Sequence, residues 1–279
     1  KMRTGVSSLP DFMKDATDRN RTSPFAFTGN KFEFRMVGSE DSVGEPNIVL
    51  NTIVAEAFSN ACDVLEQADN FNVAIHDYIK ELATAHQRIV FNGDGYSEEW
   101  VKEAERRGLK NIVSMVEAIP ALTTEKTIET FEKFHVFNRT ELESRSDIEY
   151  DTYAKKMNIE AKTMMDMAEK QIIPAVIKYE TKLADSINSV KSAVGMVPKT
   201  QESLLHKTED LLNATNEALD QLVQAVLKGM SLSDHKERAN YYYEVVSPAM
   251  EALRKPVDEL EMVVDKELWP MPSYGDMLF

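Results

Sequence analysis

The sequence predicts an α+β chain that is predominantly α, with a short strand pair near its start and a long-helix antiparallel bundle after it. Three observations predict this. Residues 1–45 hold four of the ten glycines and the alternating stretch Lys31-Phe32-Glu33-Phe34-Arg35. From Pro46 onward apolar residues recur at spacings of three and four, the period of an amphipathic helix. Glycine and proline then fall mostly between those periodic runs, where they punctuate helices. The organisation expected is 1–68, 69–120 as connecting helices, and 121–279 as the bundle with its tail.

On a strand, alternate side chains face opposite ways. Phe32 and Phe34 would therefore face a core while Lys31, Glu33 and Arg35 share the other face. Gly29-Asn30 is a turn signal, and Phe25-Ala26-Phe27 is the expected partner strand. A helix is expected over 46–68, carrying Ile48, Leu50, Ile53, Val54, Phe58 and Leu65. A second covers about 71–90. Asn92-Gly93-Asp94-Gly95 breaks the pattern, and Ser97 caps a short helix that ends at Gly108. Another short helix lies near 111–118, ahead of Pro120.

Thr123-Thr124-Glu125 opens a helix to about His135. The next is long, from about 140 to 194, with a kink expected at Pro174 because proline removes one intrahelical bond. Val176, Leu183, Ile187, Val190 and Val194 give its second half a coiled-coil-like seam. Gly195 and Pro198 end it. A helix over 200–229 carries Leu204, Leu211, Ala218, Leu222 and Ala225 on one stripe. Ser233 or Asp234 caps the last one, where Val246, Met250, Leu253, Val257, Leu260 and Val264 repeat, with Pro248 and Pro256 as sites of a kink or split. Three such helices with short turns make a bundle, the fourth partner being 123–135 or the first half of the long helix. The tail from Trp269 holds two prolines and a glycine and is expected to be non-helical, docked through its aromatic residues or frayed.

Hydrophobic residues are 43% and charged residues 28% of the chain, the range of soluble globular proteins. No apolar run reads as a membrane span, which needs about 20 residues, so no membrane partner is expected. A net charge of −15 opposes broad nucleic-acid binding. The single cysteine, Cys62, excludes an internal disulfide and suits a reducing cytoplasm. It sits in an apolar helical pattern and is expected to be buried and structural.

The chemistry-bearing cluster is Arg21, Lys31, Glu33 and Arg35. Arginine offers a rigid fork for phosphate or carboxylate, and a carboxylate is a hard ligand for magnesium. The alternative is an exposed strand with a ladder of alternating charges. His76, His86, His135, His206 and His235 are scattered, without zinc-ligand spacing. His206 reads as a solvated helix-face histidine, with phosphotransfer as the rarer alternative. Asn92-Gly93-Asp94-Gly95 lacks the ligand spacing of a calcium loop and reads as a turn. Met164, Met165 and Met167 read as helix packing.

The phrase from Asp18 through Arg35 (Asp-Arg-Asn-Arg-Thr-Ser-Pro-Phe-Ala-Phe-Thr-Gly-Asn-Lys-Phe-Glu-Phe-Arg) resembles the C-terminal part of a glutamine synthetase catalytic domain. Followed by Met36-Val37-Gly38-Ser39, it looks like the type III branch. Pro46-Asn47 through Ala55-Glu56, Val90 through Ser97 and Trp269-Pro270-Met271-Pro272 resemble the same branch, so the likeness spans nearly the whole chain. It implies that residues 1–68 are the end of the catalytic sheet and domain, and that the bundle is a helical extension. Glu33 resembles the family's metal-binding glutamate. Arg35 resembles the arginine that contacts phosphoryl group and substrate. Arg21 resembles the arginine that neutralises the transferring phosphoryl group, and Lys31 stands where relatives hold an arginine near the nucleotide phosphates. Ala26 stands where other branches carry a further arginine.

The resemblance implies ATP-dependent ligation of ammonia to glutamate through a γ-glutamyl phosphate, with ATP and Mg2+ (or Mn2+) as cofactors, in large homo-oligomeric rings. The family's other metal ligands, its ammonium-site loop and its N-terminal domain have no counterpart here. Lys1 precedes Met2 as though mid-phrase. The chain alone is thus expected to hold an incomplete, inactive site. The rival expectation is a non-catalytic helical module for assembly or regulation.

Overall fold

The structure, a computed structural model, describes residues 42–89 and 97–278 and the backbone of residues 25–27 and 32–34. β1 (Phe25–Phe27) pairs antiparallel with β2 (Phe32–Phe34), Phe25 opposite Phe34 and Phe27 opposite Phe32. These two short strands form their own ribbon, and among the described residues no further strand extends it into the larger sheet implied by the resemblance. What the chain holds is overwhelmingly helix.

The helices group into two compact units. The first includes α1 (Gly44–Leu65), α2 (Phe71–Ala85), α3 (Glu98–Arg106) and α5 (Glu125–Lys133). Asn70, Ser97 and Thr124 cap three of these, each side chain accepting from a backbone N–H three residues on. α2 stops at Ala85, five residues short of expectation, and continues as a 3₁₀ turn at Gln87–Ile89. α5 ends in a Schellman turn: Val136 N–H donates to the Phe131 carbonyl, and His135 takes φ 53°, the left-handed position usually held by glycine. A small core joins Ile128, Phe131 and Leu142 with Ile48 and Phe137. Phe131 and Phe137 stack with centroids 5.8 Å apart, and Lys133 pairs with Glu56 on α1 at 2.7 Å.

α1 departs from the sequence expectation in two ways. It is long and apolar enough to cross a membrane by length and composition, against the expectation that no apolar run reads as a span. Its apolar face also lacks cover. Thr52 is its one fully buried residue, Ile53 and Val64 are exposed, and Phe58 is 68% exposed. Cys62, expected inside, is exposed on the same helix.

The second unit contains α4 (Met115–Ala118) and the following 3₁₀ turn as far as Pro120, most of α6 (Arg139–Met167), and the chain from there to the C-terminus. The expected helix near 111–118 is thus reduced to one α turn. α6 opens on a reciprocal capping box: Asn138 N–H donates to Glu141 Oε2, and Glu141 N–H to Asn138 Oδ1. It runs into α7 (Ile173–Val194) through a π turn at Ala168–Ile172. α8 (Lys199–Ser231) follows, after Gly195 closes α7 at φ 75°. α9 (His235–Tyr241), capped by Asp234, joins α10 (Ser247–Glu261) through a second π turn at Tyr242–Val246.

A π turn lies at two of the positions where a kink was expected. Each lies immediately ahead of an X-Pro step, Ile173-Pro174 and Ser247-Pro248. Ile173 N–H donates to Ala168 O and Ser247 N–H to Tyr242 O, five residues back rather than four. The wider turn makes room for the proline ring against the preceding carbonyls, so neither helix breaks. Pro256 sits inside α10 without a break.

Contacts fix the directions of the rods. Gly229 meets Tyr242 while Leu211 and Leu212 pack against the cluster that holds Leu260 and Val264, so α8 and α9–α10 are antiparallel. Asn158 bonds Tyr242 at 2.9 Å and Lys182 pairs with Asp265, so α6–α7 runs parallel to α9–α10. The first half of the long helix is therefore the bundle partner. Its core holds Tyr150, Ala154, Ala161 and Ala168 of this first rod against Leu219, Leu222, Val226, Tyr242, Val246 and Leu253, together with Val116 and Ile119.

The buried line of α8 also includes Thr208 and Thr215, both fully buried. Each hydroxyl donates to the carbonyl four residues back, at 2.8 Å. Internally satisfied, these threonines present only methyl groups to the core. In the tail, α11 (Tyr274–Leu278) corrects the non-helical expectation. Both prolines precede it, and Asp276 accepts from the Ser273 N–H and hydroxyl to start it.

Gly229 was expected to end its helix but lies inside α8. A Cβ there would sit 2.8 Å from Tyr242 Cε2. Tyr242 is 1% exposed and its hydroxyl is tied to Asn158, so the ring has nowhere to retreat. Gly229→Ala gains about 1 kcal/mol of helix propensity but overpacks at a cost of about 1–3 kcal/mol. We expect a net loss of up to about 2 kcal/mol in denaturant unfolding; higher stability would place the ring elsewhere.

Candidate functional site

Of the residues singled out in the sequence, Arg21, Lys31 and Arg35 lie outside the described residues, as does Asn92-Gly93-Asp94-Gly95. Glu33 is the central residue of β2, with Ala26 opposite it on β1. His76, His86, His135 and His206 are exposed. Met164 and Met165 pack against the bundle core, as expected. Among the described residues no three His, Cys, Asp or Glu side chains converge to hold a metal ion.

The structure assembles charged sites that spacing did not reveal. The first lies at the C-terminal ends of α2 and α3. Gly108, at φ 73°, closes α3 with its N–H on Glu105 O and Leu109 N–H on Ala104 O. Arg106 and Arg107, at the end of α3, lie beside the Gln87–Ile89 turn. Glu103 accepts from Arg106 through both oxygens and from Arg107 Nε, all at 2.6 Å. Arg107 also donates to the Arg88 carbonyl at 3.3 Å and lies 5.5 Å from the Trp100 ring centroid. The bonds from Arg106 first, and from Arg107 second, lower the Glu103 pKa to about 2. Gln87, Arg88, Arg106 and Arg107 line an open basin of about 380 Å³.

A second cluster joins α6 to α9. His235 Nδ1 is 3.0 Å from Asp147 and its Nε2 4.0 Å from Asp151, which also binds Arg238 and Lys155. The hydrogen bond from Lys155, aided by the charges of His235 and Arg238, lowers the Asp151 pKa. A third, at the start of α6, has Glu125 gripping the Arg139 guanidinium at 2.6 and 3.1 Å while Glu132 accepts from the Arg139 N–H. These groups fix helix ends. On α7, burial raises the Glu180 pKa, with the charge of Glu209 adding to it; Glu180 Oε1 is buried without a hydrogen-bond partner.

Comparison with known proteins gives these features a context. The family described as Glutamine synthetase C-terminal domain matches residues 74–191, from α2 to near the end of α7. Across its full length the chain is 37% identical to a type-3 glutamine synthetase of Dictyostelium discoideum. It is 35% identical, again over its full length, to a glutamine synthetase of Bacteroides fragilis (strain YCH46). Over 96% of its length it is 35% identical to a glutamine synthetase of Butyrivibrio fibrisolvens. The chain spans 39% of the length of each relative.

Glu180 yields a pH prediction. Its raised pKa means that the native state holds the proton more tightly than the unfolded chain. The stabilisation is present below the ordinary carboxyl value, about 4.3, and is lost as pH rises through the native value. Glu180→Gln keeps the shape, removes the repulsion and offers Glu209 a donor. Thermal unfolding should show the variant more stable at pH 7, by on the order of 1 kcal/mol, with the difference closing near pH 4.

Proposed function

The chain belongs to the type-3 glutamine synthetase family, and from that premise we propose that it forms part of an enzyme catalysing ATP-dependent ligation of ammonia to glutamate. The observation that carries this reading is the likeness itself: it runs the length of the chain, through both strands and helices, at 35–37% identity. In the proposed reaction the glutamate γ-carboxylate takes the γ-phosphoryl group of ATP, releasing ADP. Ammonia then displaces phosphate from the γ-glutamyl phosphate to give the amide.

Residues 1–68 supply this chain's share of the site in that reading. A carboxylate among three cations suits a metal-bound polyphosphate, and the central place of Glu33 in a paired strand suits a fixed ligand. The divalent ion, Mg2+ or Mn2+, would offset charge on the phosphoryl oxygens. Arg21 would neutralise the phosphoryl group in transfer, Arg35 would hold phosphoryl group and substrate, and Lys31 would face the nucleotide phosphates. Positioned charge of this kind accounts for most phosphoryl-transfer catalysis. The rest of the site would come from the part of the protein that these relatives have and this chain does not span, working in a cytoplasmic setting. The uncovered apolar face of α1 supports a packing partner of that sort.

In the full-length protein, Glu33→Ala should lower glutamate- and ammonia-dependent phosphate release by about 100-fold or more, without changing the assembly seen in sedimentation. Retained magnesium-dependent activity would remove Glu33 from the metal site.

One observation favours an additional assembly role in homo-oligomeric rings. α11 exposes Tyr274 and Leu278, at 84% and 73%. Deleting residues 273–279 from the full-length protein should lower its sedimentation coefficient; an unchanged value would show that the tail does not join subunits.

A further inference from the structure

We propose that the basin formed by Arg88, Arg106 and Arg107 is an anion site for a compact oligophosphate, a diphosphate group either free or carried on a nucleoside. The inference stands apart from the catalytic residues of the ligase reading, since the basin is built from the C-terminal ends of α2 and α3.

Three guanidinium groups line this basin, and two of them, Arg106 and Arg107, share one carboxylate, Glu103. In a chain of net charge −15 this is an unusual local excess of cation. α3 also carries Glu98, Glu99 and Glu105, and none of them lines the basin. Two of the arginines are already held in place. Arg106 is gripped through two parallel bonds, and Arg107 is fixed by Glu103, by the Arg88 carbonyl and by the Trp100 ring. Fixing them beforehand removes much of the ordering entropy that a ligand would otherwise oppose. Arg88 is different: it is exposed, and its guanidinium meets no carboxylate among the described residues.

The competing account is that these arginines only offset the negative ends of the α2 and α3 dipoles. Arg107 does so through its bond to the Arg88 carbonyl. That account leaves the Arg88 side chain without a role, and does not require three forks around one basin. A basin of about 380 Å³ has room for two phosphoryl groups. Planar forks match phosphate oxygens in pairs, which ammonium groups do not.

Hydrogen–deuterium exchange on the full-length protein, with inorganic diphosphate and with ADP as separate probes, tests this. Either probe should slow exchange in residues 85–89 and 103–109, and saturation should follow its concentration. Protection by both probes assigns recognition to the diphosphate group; protection by ADP alone assigns a share to the nucleoside. Arg88→Ala should weaken the apparent affinity about tenfold, and Arg88→Lys by less. Its side chain is exposed, so unbound exchange should match the parent protein. No protection with either probe, or equal affinity in Arg88→Ala, overturns the proposal.

Discussion

Tyr242 ties the bundle together. Its ring lies against Gly229 of α8, closer than any side chain there would allow, while its hydroxyl donates to Asn158 of α6 at 2.9 Å. One residue thus sets the distance between two antiparallel rods and the register of two parallel ones. Burying the ring contributes about 1.5–3 kcal/mol, and leaving its hydroxyl unpaired would offset much of that. Around this point the small residues Ala154 and Ala161 of α6, and Ala168 at the start of the π turn after it, keep the rods close. The surrounding leucines and valines fill what remains.

The long, strongly periodic helices were legible in the sequence because burial on one face imposes the period directly. The run from Val246 to Val264 was read residue for residue, with Val246, Leu253, Leu260 and Val264 all buried. Errors arose where a residue's type hides its environment. Thr208 and Thr215 count as polar by composition, yet the backbone satisfies their hydroxyls. Gly229 looks like punctuation but serves a close approach. Cys62 and Phe58 belong to an apolar face that nothing in the described chain covers, so inferring burial from hydrophobicity failed there.

The site was legible in a different way. Arg21, Lys31, Glu33 and Arg35 came from a contiguous phrase and its resemblance, which need no tertiary information. The basin at Arg88, Arg106 and Arg107 had no such signal. Arg88 stands 18 and 19 positions before Arg106 and Arg107, and they meet only where the end of α3 lies beside the Gln87–Ile89 turn. Ordinary helix-end arginines look the same on paper. Clusters such as Asp147, Asp151, His235 and Arg238 are likewise invisible until two helices are laid parallel.

The two π turns also bear on how these helices can be compared along the chain. Each is one residue more than an α-helix needs over its length, equivalent to a single-residue insertion. One extra residue advances the azimuth by about 100°. Each turn therefore shifts the side chains beyond it relative to an uninterrupted α-helix, while Ala154, Ala161, Ala168 and Ala175, and Ala239, Val246, Leu253 and Leu260, keep a buried spacing of seven through it. Deleting one residue at either point would restore an unbroken ladder and rotate everything beyond it out of the core.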